Sequence, residues 1–517
     1  MQQNENYPRE DPITEIDDLS GTDYGLLSES MDENLSFIKE SLGHTGDLII
    51  RKIEIGLPEQ PYVNVLYIKG LADAEKVSKF VIEPLASKPH IDHSGDSFEY
   101  IEEALTIGGN FEYVTKFGQL LSSLLSGNTV LMLNHLNKAL CVTTINLPER
   151  AISEPKSQNV VRGPHEGFTE SLITNKSLVR KRLKTPHLRS DMKVVGRYTK
   201  TKISIMYIDG IANEKIVEEV QNRIDKIDID GIIESANIEE LIQDSTFSPF
   251  PTIFNSERPD VVTSGLLEGR VAILVEGTPY VLLVPALFPQ FLQAAEDYYQ
   301  RSDFGLMRML RFLAFFLALL SPSIFVAVKT FHQELLPTQL IINFAAQREG
   351  VPFPAFVEAL LMELTFEILR EAGVRMPRAV GQAISIVGAL VIGQAAVEAG
   401  LVTPAMVIVV SITAIASFVF PAYNLAISIR ALRFGFMFLA ASFGLFGIAV
   451  GIFLLVLHLS GLRSFGVPYL TPLAPFNMTD QKDTVLHLPL KFLRTRPRLV
   501  SQENKTRLQV NEKTNKE

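Results

Sequence analysis

Long uncharged segments in the second half of the chain constrain its fold more than any other feature. A helix needs about 20 predominantly apolar residues to cross the hydrocarbon core of a bilayer. Four segments without charged side chains follow one another here, and they are 17 to 31 residues long. Core helices of a large soluble protein are the alternative, but so many long segments in succession argue against it. The sequence therefore predicts an all-α polytopic membrane domain at 305–475, with about four spans: 312–328, 379–397, 399–429 and 434–457.

The first half of the chain has a different composition. Charged residues are frequent through residue 300, whereas the whole chain is 47% hydrophobic and has a net charge of −10. No basic stretch followed by an apolar one opens the sequence, so we predict no signal peptide and a cytoplasmic amino-terminal half. Residues 1–29 are expected to be disordered. The single cysteine, Cys141, fits a reducing compartment and is predicted to be an inert core residue.

The amino-terminal half contains an internal repeat. Two sequence blocks recur in the same order, at offsets of 140 and 142 residues. They are "VNVLYIKGLADAEKVSKFV" at 63 with "ISIMYIDGIANEKIVEEVQ" at 203, and "LLSGNTVLML" at 124 with "LLEGRVAILV" at 266. Each copy alternates strand and helix patterns around a turn glycine. The sequence thus predicts a duplicated α/β domain with subdomains at 30–150 and 160–288, in which the turns 69–73 and 209–213 are equivalent.

Motifs for most enzymatic and nucleic-acid functions are missing from the sequence. It has no P-loop, no G-x-S-x-G and no H-E-x-x-H, and its nine histidines are scattered. The basic cluster at 180–184 could indicate nucleic-acid binding, but the acidic net charge and the lack of an aromatic stacking platform argue against it. We therefore predict no enzyme activity, no cofactor, no metal site and no nucleic-acid partner.

The membrane half resembles a known family. "REGVPFPAFVEALLMELTFEILREAGVRMPRAVGQAISIVGALVIGQAAVEAG", at 348–400, is similar to the A subunits of bacterial spore germinant receptors of the GerA type. So are "VVRGPHEGFTESLITN", "SPFPTIFNSERPD", "LLEGRVAILVEGTPYVLLVP", "AEDYY" and "SFGVPYLTPLAP". These blocks run in the family's order from about residue 160 to 475, and the repeat extends the resemblance to the first subdomain.

The resemblance implies a subunit of a nutrient-responsive receptor, placed as a multi-pass protein in the inner membrane of the spore. It implies two partners, a transporter-like B subunit that binds the nutrient and a lipid-anchored C subunit. It further implies that the A subunit forms a homo-oligomer whose opening releases monovalent cations and starts germination. A secondary transporter subunit and a non-conducting scaffold for the B subunit are the alternatives. The nutrient, the oligomer number and the ion selectivity stay open.

Basic residues predict the orientation of the membrane domain. The tail at 489–517 has eight Lys or Arg and three acidic residues, which is typical of a cytoplasmic segment. Three arginines before residue 312 hold the start of the first span on the same side, so the number of crossings should be even. Four spans satisfy this if the acidic segment 353–372 is re-entrant or interfacial. Arginine pairs at 375/378 and 430/433 then lie on the outer side, a conflict that this span count leaves open.

The segment "EALLMELTFEILREAG" places four acids in this apolar domain. On a helix, Glu363, Glu367 and Glu371 lie within an arc of about 80°, and Glu358 lies on another side. A carboxylate in hydrocarbon costs roughly 2.5–3.5 kcal/mol, so the three acids should face water, a partner or a pore. The favoured hypothesis is that rings of Glu363 and Glu367 attract cations at the axis of a homo-oligomer. The alternative is an interfacial helix whose acids meet headgroup water.

Two further candidate gating residues lie near the end of the segment 399–429. Pro421 lacks a backbone N–H and is expected to kink a helix there. Asn424 is expected to hydrogen bond to a freed carbonyl or to a neighbouring helix. A tolerated kink without a gating role is the alternative.

Overall fold

Two consecutive sheets with the same strand order build the amino-terminal half. The computed structural model of the protein describes residues 24–55, 62–87, 97–105, 111–145, 154–155, 157–299, 305–375, 392–478, 480–489, 492–501 and 504–507. The sheet orders are β1-β2-β4-β5-β3 and β6-β7-β9-β10-β8. The strands are β1 (Leu48–Glu54), β2 (Tyr62–Ile68), β3 (Phe111–Val114), β4 (Thr129–Leu133), β5 (Ala139–Val142), β6 (Leu188–Val195), β7 (Thr201–Ile208), β8 (Phe254–Ser256), β9 (Val271–Val275) and β10 (Val281–Val284).

The strand registers repeat with the offsets found in the sequence. The antiparallel β1–β2 ladder recurs as β6–β7 with both strands displaced by 140 residues. The β2–β4 ladder recurs as β7–β9, in which β2 is displaced by 140 residues and β4 by 142. The equivalent pairs are Ile49–Tyr67 with Arg189–Tyr207, and Val63–Leu133 with Ile203–Val275. Because the pairing partners repeat as well as the residues, the two sheets are copies of one α/β pattern.

The predicted equivalence of the two strand-to-helix turns is confirmed. β2 and β7 each lead into a turn with a left-handed glycine, Gly70 at φ 93° and Gly210 at φ 75°. Asp73 then caps a helix by accepting from the Glu75 and Lys76 amides, and Asn213 does the same through the Lys215 amide. The helices are α1 (Met31–Ser41), α2 (Ala74–Lys76) with a π-helical continuation (Val77–Ile82), α3 (Glu83–Ser87), α4 (Ser97–Ala104), α5 (Phe117–Leu125), α6 (Leu172–Arg182), α7 (Glu214–Asp225), α8 (Ser235–Ile242) and α9 (Pro259–Leu267).

Apolar side chains alternate between the two faces of the first sheet. Val63 and Val65 belong to one buried cluster, whereas Leu66 and Ile68 belong to another. The second cluster includes Cys141, as predicted, and burial raises the pKa of its thiol to about 12. It also includes Leu27, which is only 4% exposed. The disorder predicted for residues 1–29 is therefore wrong for 24–29, because Leu27 has a place in this core; residues 1–23 lie outside the described residues.

The chain divides into two units, which we call the α/β unit and the helical unit. The α/β unit comprises Met1–Asn159, Pro164–Leu241 and Asn255–Leu283. The helical unit comprises Val160–Gly163, Ile242–Phe254 and Val284–Glu517. Its helices are α10 (Leu306–Thr330), α11 (Thr338–Arg348), α12 (Ala355–Arg375), α13 (Gly393–Glu398), α14 (Pro404–Phe418) and α15 (Tyr423–Gly461), followed by the short strands β11 (Arg463–Ser464) and β12 (Val467–Pro468).

Two helices in the described part of the chain, α10 and α15, are long and apolar enough to cross a membrane. α15 is not one straight helix, because Gly444 has φ 61° and ψ −143°. Few residues other than glycine adopt such a conformation. Beyond the turn, Gly447 lies against the Leu439 backbone and Gly451 against the Phe436 ring, both too close to admit a Cβ. The halves 423–443 and 445–461 are therefore antiparallel, and the single span predicted at 434–457 is wrong.

The predicted span at 399–429 is also two helices. α14 ends at Phe418 and α15 begins at Tyr423. Pro421 lies in the connection between them, so the kink predicted inside one helix is wrong. Asn424 is half-buried in the first turn of α15, and its carbonyl accepts from the Ser428 hydroxyl at 3.0 Å. The span predicted at 379–397 falls mostly on 376–391, outside the described residues.

Candidate functional site: charged side chains inside the helical unit

Glu358, near the start of α12, is the centre of a buried charged cluster. Its side chain is fully buried, and Lys329 Nζ of α10 lies 3.3 Å from one carboxylate oxygen. The other oxygen accepts from the Thr403 amide at 3.1 Å and the Thr403 hydroxyl at 2.9 Å. Thr403 precedes the first residue of α14, so the carboxylate also caps that helix at its positive end. One side chain thereby joins three helices.

A second buried cluster forms around Arg433 in the first half of α15. Its guanidinium donates to Glu363 of α12, and both side chains are at most 1% exposed. Arg433 Nε also donates to the Ala318 carbonyl of α10 at 2.7 Å. That carbonyl lacks its usual helical donor, because the residue four positions later is Pro322. Arg433 thus supplies the hydrogen bond that Pro322 removes and pairs with the carboxylate of Glu363 at the same time.

The next two charged residues of α12 also have partners. Glu367 pairs with Arg430 of α15 at 3.0 Å, and their side chains are 26% and 13% exposed. The Arg370 guanidinium donates to the Ser417 hydroxyl of α14. Its carbon lies 5.1 Å from the Phe366 ring centroid and 4.7 Å from that of Phe418, a cation–π arrangement.

The predicted acidic stripe runs from the interior to the surface. Glu363 is fully buried, Glu367 is partly exposed, and Glu371 is 63% exposed beside Arg375 on the same helix. An exposed pair of this kind contributes little to stability. The structure therefore gives Glu363 and Glu367 partners within their own chain, whereas Glu371 faces outward. Their role in a pore stays a prediction.

Several buried polar atoms of these clusters have hydrogen-bonding capacity that no described protein atom uses. Polar atoms that are buried in native proteins usually have a protein or water partner. Atoms of this kind in the helical unit include Ser323 Oγ, Glu363 Oε1, Glu367 Oε1, Arg430 Nε and Arg433 Nη2. Two of the five are carboxylate oxygens and two are guanidinium nitrogens, so the clusters can bind water.

Most of this arrangement is not predicted by the sequence. The helical pattern separates Glu358 from the acidic stripe, yet Glu358 is as buried as Glu363. The four-span prediction puts Arg430 and Arg433 between two spans, whereas they lie on α15. One signal was available, since a proline in an apolar helix predicts an unpaired carbonyl four residues earlier. No such rule predicts which distant side chain will pair with it. Among the described residues, no group of three or more His, Cys, Asp or Glu could hold a metal ion.

One end of the helical unit carries the carboxyl-terminal segment, and we call it the tail end. Arg308 at the start of α10 is buried and pairs with Asp483 at 2.9 Å and Asp297 at 3.3 Å. Burial alone would raise the pKa of Asp483, but His487 and Arg308 hold it below its ordinary value. The opposite end, where Gly444 meets His332 just after α10, is the turn end.

A cleft between the two subdomains of the α/β unit is a second candidate site. Its volume is about 460 Å³, and residues of both subdomains line it. Four lysines and two acids contribute to the lining: Lys69, Lys176, Lys200, Lys202, Asp47 and Glu276. Electrostatics therefore favour an anionic ligand.

Asp47, on the wall of the cleft, has partners within the protein. Arg180 Nε donates to it at 2.6 Å, and Lys176 Nζ lies 3.7 Å away. Burial alone would raise the pKa of Asp47, but Arg180 and Lys176 together hold it below its ordinary value. Part of the basic cluster at 180–184 is thus paired inside the α/β unit, where Glu166 also binds Arg182.

Comparison with known proteins identifies the family. A family model described as Bacillus/Clostridium GerA spore germination protein matches residues 36–499. The chain belongs to the GerA family. The predicted resemblance to GerA-type receptor A subunits is confirmed, and family membership gives the chain a role in spore germination.

Named relatives of this GerA-family chain cover most of its length. It is 49% identical over 483 residues to "Spore germination protein KA" of Bacillus subtilis (strain 168), across 93% of this chain and 89% of that protein. It is 43% identical over 500 residues to "Uncharacterized membrane protein YfkQ" of the same organism, across 96% of each chain. The crystal structure of the N-terminal domain of the A subunit of the Bacillus megaterium spore germinant receptor GerK3 is 38% identical and covers 51% of this chain and 98% of that one, with a TM-score of 0.42.

Proposed function

We propose that this GerA-family chain is the membrane-embedded, cation-conducting A subunit of a nutrient-responsive spore germinant receptor. It would act in the inner membrane of the spore as a homo-oligomer, together with a transporter-like B subunit and a lipid-anchored C subunit. One observation carries the proposal: buried charged side chains lie between helices whose outer faces are apolar. Ionisable residues inside a membrane usually mark an ion path or a switch.

The outer surface of the helical unit supports contact with lipid. Large apolar side chains are exposed along α10, α14 and both halves of α15, far more than a soluble surface normally carries as one patch. They include Leu313, Phe316, Ile412, Ile415, Phe418, Phe438, Phe446, Phe453 and Leu457, each at least 45% exposed. The acyl chains of lipids can cover such an apolar surface, and a helix forms the hydrogen bonds of its own backbone.

The helix order supports six crossings rather than four. α10 runs from the tail end to the turn end. α12 runs back, because Glu363 pairs with Arg433, whereas Glu367, later in α12, pairs with Arg430, which comes earlier in α15. Thr403 at the start of α14 meets Glu358 at the turn end. The span predicted at 379–397, which falls mostly outside the described residues, would return the chain from the tail end to the turn end. α14 and the two halves of α15 add three crossings. Six crossings are even, as the basic tail requires.

The six-crossing order removes the conflict that the four-span count leaves open. With α12 counted as a crossing and α15 as two, Arg375 and the pair 430/433 belong to the tail-end half, with the basic tail; Arg378 lies outside the described residues. Arg348 is the only Lys or Arg among the described residues of the turn-end segments 331–354 and 392–403. The positive-inside rule then supports a cytoplasmic tail end. The α/β unit, which precedes α10 in the chain, would lie on that side.

Conduction can be tested with neutral replacements of Glu367 and Glu371, the two acids of the stripe that are not fully buried. Glu367→Gln and Glu371→Gln each remove one charge per subunit with little change in volume. In liposomes that contain the purified chain, we expect both variants to lower K⁺ flux and the preference for cations over anions. Glu218→Gln, on the exposed face of α7, is the matched control and should conduct like the parent chain.

Three results would change this assignment. Unchanged flux in both variants, at equal incorporation, would remove Glu367 and Glu371 from the pore. Flux that requires exchange of a substrate would identify a transporter subunit. No flux from any chain, combined with normal binding of a B subunit, would identify a scaffold.

The cleft of the α/β unit favours a second function, the binding of a small anionic molecule. Lys200 and Lys202 are exposed and line the cleft. We expect titration calorimetry of the full chain in detergent, against amino acids and sugar phosphates, to find a ligand with a negatively charged group. Lys200→Glu or Lys202→Glu should weaken its binding about tenfold or more, since a charge-assisted hydrogen bond is lost. Lys226→Glu, at the exposed end of α7, should bind normally; equal weakening in all three variants would exclude the cleft.

A further inference from the structure

A loop of the helical unit carries a fully exposed aromatic side chain. Residues 242–254 cluster with the helical unit, although the chain on either side belongs to the α/β unit. Phe247, in this loop, is 99% exposed, the highest value among the large apolar side chains of the described residues. A single exposed apolar residue is common on protein surfaces, so its surroundings decide what it does.

The loop is held firmly just after Phe247. Ser248 Oγ and His458 Nε2 form a hydrogen bond at 2.9 Å, and the Pro249 carbonyl accepts from the Ser428 hydroxyl. The Thr252 carbonyl accepts from Ser464 at 2.7 Å. Phe250 is buried, with its ring against those of Phe288 and His458. Phe250 therefore fills the interior position, and Phe247 is kept outside.

These contacts place Phe247 at the tail end, where the apolar helix surface stops. Ser428 lies near the beginning of α15 and His458 near its end, so both belong to the open end of the helical hairpin. Tyr423, 58% exposed, lies at the same end. Arg463 follows the hairpin and is exposed. Aromatic and basic side chains concentrate at this level of membrane proteins, where hydrocarbon meets headgroups.

We infer that Phe247 inserts into the phospholipid bilayer at the tail end, just below the headgroups, and anchors the 242–254 loop to the membrane surface. The continuity between the loop and the apolar helix surface selects lipid as its partner. A phenylalanine ring gains free energy just below the headgroups, because it leaves water for the acyl chains. The inference rests on the proposed membrane insertion of the helical unit.

The absence of tryptophan from the chain allows a direct test. Each substitution to Trp gives a single fluorescent reporter in the full chain, reconstituted in vesicles of phosphatidylcholine and phosphatidylglycerol with brominated acyl chains. Phe247→Trp should be quenched when the bromine lies just below the glycerol. Phe453→Trp, 67% exposed in the second half of α15, should be quenched when the bromine lies deep. Tyr198→Trp, in the polar turn between β6 and β7, is the aqueous reference and should be quenched by acrylamide alone.

The pattern of quenching separates the inference from the proposed function. If Phe453→Trp is quenched and Phe247→Trp is not, the loop does not insert, although the helices do. If Phe453→Trp is not quenched, membrane insertion itself is wrong. If Phe247→Trp is protected from both bromine and acrylamide, a protein surface covers it, from a second copy or another subunit, and the lipid assignment fails. Circular dichroism spectra that match the parent chain confirm that each variant is folded.

Discussion

Arg433→Met should destabilise the helical unit by about 3–5 kcal/mol, because it leaves the buried carboxylate of Glu363 without a counter-charge. It also removes the donor to the Ala318 carbonyl, whose helical donor is missing at Pro322. We expect unfolding in mixed micelles at lower denaturant and a reduced yield of assembled protein. Arg430→Met is the matched control, since its pair with Glu367 is partly exposed and should contribute less.

Two second-site changes identify the two roles of Arg433. Glu363→Gln should restore part of the stability lost in Arg433→Met, because the buried charge is gone. Pro322→Ala should give the Ala318 carbonyl a backbone donor again. In that background Arg433→Met should cost about 1 kcal/mol less stability, because its hydrogen bond to Ala318 is no longer needed. A double-mutant cycle measures each coupling. Additive losses in both cycles would show that Arg433 stabilises the helices by packing alone.

Glu358→Ala should have an effect of similar size, about 3–5 kcal/mol, through a different set of contacts. It leaves the ammonium of Lys329 buried without a counter-charge and the Thr403 amide without its acceptor. Because Thr403 starts α14, we expect that helix to lose order first. Hydrogen exchange measured by mass spectrometry should increase, relative to the parent chain, more at 405–410 than at the end of α14.

The double variant Lys329→Met/Glu358→Leu is the control for this prediction. It removes both charges and fills the space with apolar atoms, so it should be more stable than either single variant. Glu371→Ala, whose pair with Arg375 is exposed, should change stability by less than about 1 kcal/mol. Equal losses in Glu358→Ala and Glu371→Ala would mean that burial of the first pair contributes nothing.

The fold of the α/β unit could be predicted from the sequence because duplication leaves two copies of one signal. The blocks around Tyr67 and Tyr207 share a strand, a turn glycine and a helix cap, and these local features determine local structure. The same reasoning could not predict the cleft, whose lining combines residues from both copies.

The helical unit was harder to predict, since span length alone was a poor guide. The segment 434–457 has the right length for one span, and glycines are common in membrane helices. Nothing in that composition distinguishes Gly444, a turn, from Gly435, which lies within the helix. The charges of Arg430 and Arg433 predict the end of a span, because charged residues usually flank the apolar segments. In the structure they lie within a helix, paired with acids more than 60 positions away in the sequence.

The bond between Arg433 and Ala318 also restricts the order in which the protein can mature. Ala318 is synthesised 115 residues before its donor. Under the proposed membrane insertion, α10 leaves the ribosome during that interval with a carbonyl that neither its own backbone nor lipid can satisfy. The first helix is therefore completed by one of the last, and a nascent chain that stops before residue 433 holds an unfinished α10. We expect such truncated chains to be recognised by membrane quality-control proteases, and the complete chain to become resistant only after α15 has been inserted.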